Sequence, residues 1–218
     1  MGYNVAIDGP AGAGKSTIAK LVAKEKGYIY VDTGAMYRAM AVHFLNCGID
    51  PGDTKGIVDA CRDADVSIQY EDGVQQVYLN GENVTSMLRE ERVGNMASVS
   101  SAVPEVRKKL LELQRGLAQR QDVIMDGRDI GTHILPDADV KIYLTASVAT
   151  RAKRRYDELT EKGIRCDYEA IAHDIEERDR RDMSRETAPL RQAEDAILVD
   201  SSEMTIEEVV AEIIRHCK

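Results

Sequence analysis

Nine residues near the N-terminus, Gly9 to Thr17, read Gly-Pro-Ala-Gly-Ala-Gly-Lys-Ser-Thr. Gly9-x-x-x-x-Gly14-Lys15-Ser16 is the full spacing of a phosphate-gripping Walker A loop, and it sits between an apolar run and a helical pattern. Glycines let successive backbone N–H groups curl around phosphate oxygens, and a helix starting near Lys15 adds its positive N-terminal end. Lys15 has the reach for β- and γ-phosphates, and the Ser16 hydroxyl is a hard oxygen donor suited to Mg²⁺. Gly9, Pro10, Ala11, Gly12, Ala13, Gly14, Lys15, Ser16 and Thr17 are therefore expected to hold a nucleoside triphosphate. Two other readings of the loop fail on residues. Gly12-x-Gly14-x-x-Thr17 lacks the third glycine of a dinucleotide fingerprint and leaves Lys15 without a task. A regulatory GTPase needs Asn-Lys-x-Asp, which occurs nowhere in the chain. An ATP-using enzyme is the leading class, with a P-loop switch or binding module as its rival.

Three further stretches place charge where an anionic acceptor could sit. Asp32-Thr-Gly-Ala-Met-Tyr-Arg38 follows the second apolar run, and ligands in open α/β sheets collect at strand C-terminal ends. Thr33 can cap the helix expected from Gly34, with Arg38 about one turn further on. Val123-Ile-Met-Asp-Gly-Arg-Asp-Ile-Gly131 ends a buried strand in Asp126, a position suited to orienting a magnesium-bound water, and then presents Arg128 and Asp129. Arg178-Asp-Arg-Arg-Asp-Met-Ser-Arg185 puts Arg178, Asp182 and Arg185 on one helical stripe. Taken alone, each has a plain alternative: a cap, a surface ion pair, a salt-bridged solvent face.

Positioning these groups falls to an alternation of apolar strands and amphipathic helices. Strands are expected at Asn4–Asp8, Tyr28–Val31, Val123–Met125, Val140–Leu144 and Ile197–Val199. Helices are expected at Lys15–Lys26, Gly34–Asn46, Met87–Ser100, Val103–Gln119, Val148–Glu161, Tyr168–Met183 and Ile206–His216. Nearly all-apolar strands of this kind imply an α/β fold, a parallel sheet flanked by helices. Val66–Tyr70 and Val77–Leu79, joined through Glu71-Asp-Gly and followed by Asn80-Gly81, break the alternation and read as a hairpin. A β-rich insertion over about 65–85 within a single domain spanning 1–218 follows.

Composition narrows the partners. A formal net charge of -9 over 218 residues argues against broad nucleic-acid binding, while locally convergent arginines still suit a small anion. Cys47, Cys61, Cys166 and Cys217 are scattered without a CxxC pair, as reduced thiols rather than a disulfide or zinc framework. With neither a long apolar run nor a basic-then-apolar leader, a cytoplasmic location with no membrane partner is expected.

GPAGAGKST, DTGAMYR, DGRDIGT and RDRRDMSR, in this order and spacing, resemble the bacterial cytidylate kinases, a branch of the nucleoside monophosphate kinase family. The likeness runs from Asn4 to the C-terminal helix, and the hairpin resembles that family's enlarged monophosphate-binding region. The resemblance implies transfer of the γ-phosphoryl group of ATP to CMP or dCMP with Mg²⁺. A monomer is expected, since nothing in the charge pattern demands otherwise. The resemblance also implies Thr33 near the acceptor, Arg38 on the CMP phosphate, Arg128 as a phosphate ligand, and Ser98, Arg107 and Asp129 around cytosine. It further implies Arg178, Asp182 and Arg185 around ribose and phosphates, and Mg²⁺ on Ser16 and, through water, Asp126. Lys15, Arg128, Arg178, Arg185 and Arg154 would carry the catalytic charge. A mobile lid is expected over about 151–165, its alternative being a basic solvated helix. Cytosine offers an N4 amino donor that a carboxylate accepts, where uracil offers an acceptor, so Asp129 would favour CMP. Kinases for UMP, or for a metabolite such as shikimate, remain the alternatives.

Overall fold

The computed structural model describes residues 2–218, and Met1 lies outside them. Along the chain the first elements are β1 (Asn4–Asp8), α1 (Lys15–Lys26), β2 (Ile29–Asp32), α2 (Thr33–Asn46) and α3 (Thr54–Cys61). Next come β3 (Val66–Glu71), β4 (Val74–Leu79), β5 (Glu82–Asn83), a 3₁₀ turn (Thr85–Arg89), α4 (Glu91–Ser100) and α5 (Pro104–Arg120). The chain closes with β6 (Val123–Gly127), a π-type turn (Ile130–Ile134), β7 (Val140–Thr145), α6 (Val148–Glu161), α7 (Tyr168–Ser184), β8 (Ile197–Asp200) and α8 (Ile206–Ile214). These residues form two compact units, one built from Tyr3–Tyr28 and Val123–Lys218, the other from Ile29–Asp122 with Gly2.

In the first unit β6, β1, β7 and β8 lie side by side in that order, all parallel. Val5, Ala6, Ile7, Val123, Ile124, Met125, Ile142 and Leu144 are buried, the near-continuous apolar strands of a sheet flanked by helices. Helix α1 closes over it with Ile18, Ala19, Val22 and Ala23. The register pairs Asp8 with Gly127, so the loops beginning at Gly9 and Arg128 leave side by side at the C-terminal ends of parallel strands. That shared end is what brings the phosphate loop to its neighbours.

In the second unit α2 is the hub. Its Met36, Ala39, Met40 and Phe44 are fully buried, and it packs on α3, α4 and α5. The expected hairpin is present as an antiparallel β3–β4–β5 sheet. Asp72-Gly73 and Asn80-Gly81 turn its corners with left-handed backbone at both residues of each pair, the geometry that Asp-Gly and Asn-Gly supply in two-residue hairpins.

Three expectations needed correction. The helix expected over Met87–Ser100 is a 3₁₀ turn followed by α4, because Glu90 is extended (φ −64°, ψ 139°) and breaks the run. Helix α2 starts at Thr33, because Asp32 rather than Thr33 is its cap and accepts from Ala35 N–H at 2.8 Å. Helix α7 ends at Ser184, which leaves Arg185 extended beyond it, so Arg178, Asp182 and Arg185 do not form one helical stripe. Among the described residues all four cysteines are free, and no helix is long and apolar enough to cross a membrane.

Candidate active site

The phosphate loop takes its shape from three glycines. Gly9 has φ 151°, and a Cβ there would run into the Leu144 carbonyl of β7. Gly12 (φ 75°) and Gly14 (φ 86°) are left-handed, and Gly14 is the residue that opens α1. Lys15 is buried, and its ammonium donates to the Pro10 carbonyl at 2.7 Å. Burial, reinforced by the nearby Arg128 charge, pushes Lys15 down to about 7, against the pull of Asp126, Asp182 and Asp8. An incoming polyphosphate would supply the negative charge that this lysine is short of.

Ser16 Oγ donates to Asp126 Oδ2 at 2.9 Å, so the loop serine and the strand-end aspartate expected to act together do meet. A hydroxyl and a carboxylate side by side are hard oxygen donors. Together with phosphate oxygens and water they fit Mg²⁺, which takes few protein ligands.

Beyond β6 a charge network is packed into the same unit. Arg128 Nε donates to Asp182 Oδ2 at 2.7 Å. Burial works against the Arg128 charge, but the Asp182 carboxylate outweighs it, and the guanidinium is held charged beyond its ordinary range. Burial alone would raise Asp182, yet Arg128, Arg178 and Arg185 together hold it below the usual carboxylate range. Arg185 donates through Nε to the Ala188 carbonyl at 2.7 Å and through Nη2 to Asp129 Oδ1 at 3.2 Å, both partners of the ion pair being buried. Arg128, Asp129, Arg178, Asp182 and Arg185 are therefore brought together.

Two positioning groups here were not singled out from the sequence as parts of the site. Asp8 is buried, and its two oxygens accept from Ile130 and Gly131 N–H, both at 2.7 Å, fixing the turn that follows Asp129. Burial pushes this carboxyl up to about 6, with Asp129 adding to it. Arg151 lies within the segment expected to be a mobile lid, yet it is 4% exposed. It donates to the carbonyls of Ala11 and Ala146, each at 2.9 Å, and pairs with Asp179 at 2.6 Å, so it braces the phosphate loop from beneath. Arg154 is tied to Ser201, with Nη2 donating to its carbonyl at 2.7 Å, and Arg155 pairs with Glu158 at the surface. The signal for Asp8 and Arg151 lay only in their flanks, one ending a strand and one opening a helix.

Thr33, Arg38, Ser98 and Arg107 all lie in the other unit. Thr33 is buried at the first turn of α2. Arg38 Nη2 pairs with Asp32 Oδ2 at 2.9 Å, both side chains being partly exposed. Ser98 Oγ is buried on α4 and makes no hydrogen bond among the described residues. Arg107 is buried on α5, donates to the Ser101 carbonyl at 3.2 Å, and sets its guanidinium 5.5 Å from the Tyr37 ring centre. Asp32, Tyr37 and Ser101 thus join the residues named from the sequence.

A parallel α/β sheet, a complete phosphate loop and a paired loop serine and strand aspartate define a P-loop nucleotide-binding protein. A solved structure of an uncharacterized protein from Eubacterium ventriosum has a similar fold (TM-score 0.51, 12% identity), the alignment covering 98% of this chain and 97% of that one. The family model described as cytidylate kinase matches residues 5–218. The cytidylate kinase of Caldicellulosiruptor bescii is 52% identical over 211 residues, 97% of this chain and 93% of that protein. That of Lactobacillus gasseri is 53% identical over 209 residues, 96% of this chain and 91% of that protein. The chain belongs to the cytidylate kinase family.

Proposed function

We infer that this enzyme transfers the γ-phosphoryl group of ATP to CMP or dCMP, giving ADP and CDP or dCDP. The observation that carries the reading is the complete phosphate loop, its Ser16 bonded to Asp126, in a chain about half identical to cytidylate kinases along nearly its whole length. That likeness favours a cytidine acceptor over UMP or shikimate.

The residue roles follow from charge and reach. Gly9 to Thr17 wrap the ATP phosphates, with Lys15 on the β- and γ-phosphates. Mg²⁺ held by Ser16 and, through water, Asp126 would neutralise charge on the transferred group. Arg38 takes the CMP phosphate, and Thr33, Ser98 and Arg107 line the acceptor. Arg128, Arg178 and Arg185 supply the cationic charge that a loose transition state needs over its equatorial oxygens, and Asp182 fixes their directions. The acceptor phosphate oxygen is already anionic near neutral pH, so no dedicated base is required. The lid narrows to the residues beyond Arg151, and Arg154 must leave Ser201 to join the transferred group. The enzyme acts as a cytoplasmic monomer without nucleic-acid or membrane partners.

Asp129 reads cytosine by accepting from its N4 amino group. A site built on such a bond can discriminate by roughly 10⁴–10⁵ against a base that cannot make it. A coupled assay of Asp129→Ala and Asp129→Asn against CMP, dCMP, UMP and shikimate tests this. The expected result is a fall of about 100-fold or more in the CMP-over-UMP ratio of kcat/KM for Asp129→Ala, with KM for ATP unchanged. Asn, whose amide can donate to the uracil O4, should raise UMP turnover further. Selectivity that survives both changes sinks the base-reading role, and equal turnover of all acceptors by the native enzyme sinks the cytidine assignment.

A further inference from the structure

The small β3–β4–β5 sheet has no part in the chemistry so far, yet two of its side chains reach β2. Gln75, half-buried on β4, accepts the Asp32 N–H on its Oε1 at 2.9 Å and donates from Nε2 to the Asp32 carbonyl at 3.2 Å. Tyr70 on β3 donates its hydroxyl to the Tyr30 carbonyl at 3.1 Å. In a strand, the N–H and C=O of one residue point to the same side, and residues two apart share that side. Gln75 and Tyr70 therefore hold the same edge of β2. The Gln75 amide presents the donor and acceptor that a neighbouring peptide would, and so closes the last rung of that edge where no strand backbone does.

What is pinned matters, because Asp32 is the hinge of the acceptor residues. Its Oδ1 accepts from Ala35 N–H and starts α2, which fixes Thr33. Its Oδ2 holds the Arg38 guanidinium at 2.9 Å. Both contacts depend on where the Asp32 backbone is placed. We propose that Gln75 is a positioning residue for the acceptor site, fixing the Asp32 backbone and through it the direction of Arg38. The inserted sheet thereby acts on the affinity for the monophosphate and leaves the handling of ATP untouched.

This rests on Arg38 binding the acceptor phosphate, so steady-state kinetics of the full enzyme should cover Gln75→Ala, Gln75→Glu, Tyr70→Phe and Arg38→Ala, varying CMP and ATP in turn. Loss of two backbone hydrogen bonds predicts that Gln75→Ala raises KM for CMP by about tenfold, while kcat at saturating CMP and KM for ATP stay within about twofold. Glu keeps the acceptor and loses the donor, so Gln75→Glu should fall between Ala and native. Tyr70→Phe, which spares Asp32 itself, should raise KM for CMP by less. If Gln75→Ala does not fold, the Gln75→Glu and Tyr70→Phe values decide. An unchanged KM for CMP in the Gln75 variants, or KM for ATP rising equally, overturns the inference while a raised KM in Arg38→Ala leaves the acceptor reading standing. Unchanged KM for CMP in Arg38→Ala overturns the acceptor reading itself.

Discussion

The two units hold charge in opposite ways. Around the phosphate loop Lys15, Arg128, Arg151, Asp8, Asp126, Asp179 and Asp182 are buried or nearly so, and their charges offset one another inside the protein. Around Arg38 the ion pair with Asp32 is partly open to water and is steadied by neutral side chains from a small sheet. Buried charges keep their directions because each is caught between several partners, but removing one leaves the others uncompensated. Half-exposed pairs are worth little to stability and can exchange partners when an anion arrives. Under the proposed roles, the phosphate-loop region holds its charges fixed before substrate arrives, and the Arg38 pair is the one an arriving anion would re-pair.

This contrast can be broken most decisively at Lys15. Lys15→Ala should lower kcat by about 10²–10³-fold, the usual loss for one preorganised charge on the transferred group. The loss should be equal with CMP and dCMP, as coupled assays of both would show. A defect confined to one acceptor would mean that the two regions are not separable.

A smaller effect is expected at Arg151, read as stability. Arg151→Met strands Asp179 and the Ala11 carbonyl, and breaking a buried pair from one side costs about 3–5 kcal/mol. For a chain of this size that is roughly 10 °C in Tm by thermal melting. If truncating Arg38 lowers Tm as much as this change does, the comparison fails.

The pH response of Asp8 sharpens the contrast last. Its carboxyl titrates near 6 in the fold and near 3.8 when unfolded, so the folded state binds the proton more tightly. The stability that this contributes is fully present below about pH 3.8 and is lost as pH rises to about 6, amounting to about 3 kcal/mol. Urea midpoints between pH 4 and 7 should therefore fall less for Asp8→Asn than for the native enzyme. Identical slopes would remove Asp8 as a strained buried group.

The strands and the phosphate loop were readable because their signals are local: apolar runs of strand length, glycines at fixed offsets, Asp-Gly and Asn-Gly turns. The grouping of Arg128, Asp129, Asp182 and Arg185 was readable through their placement at a strand end and in an arginine run. Which of them pairs with which was not, since an ion pair across more than fifty residues leaves no spacing to read. The burial of Arg151 was hidden for the same reason. One arginine in a basic cluster gives no sign that it alone turns inward, and only the packing of α6 on α7 decides that. Glu90 broke an expected helix although glutamate favours helices, a tertiary override of local preference.

Gly34 lies inside α2 with an ordinary helical backbone, where glycine costs roughly 0.5–1 kcal/mol relative to alanine. A Cβ there would stand 3.0 Å from Arg38 Nη1 and 3.2 Å from Asp32 Oδ1. The glycine of the Asp-Thr-Gly stretch is therefore a vacancy left for a guanidinium four residues downstream. The helix gives up some of its own stability to keep open the space that the Arg38 guanidinium occupies beside Asp32, and in the proposed reaction that space would let it turn from a carboxylate to a phosphate.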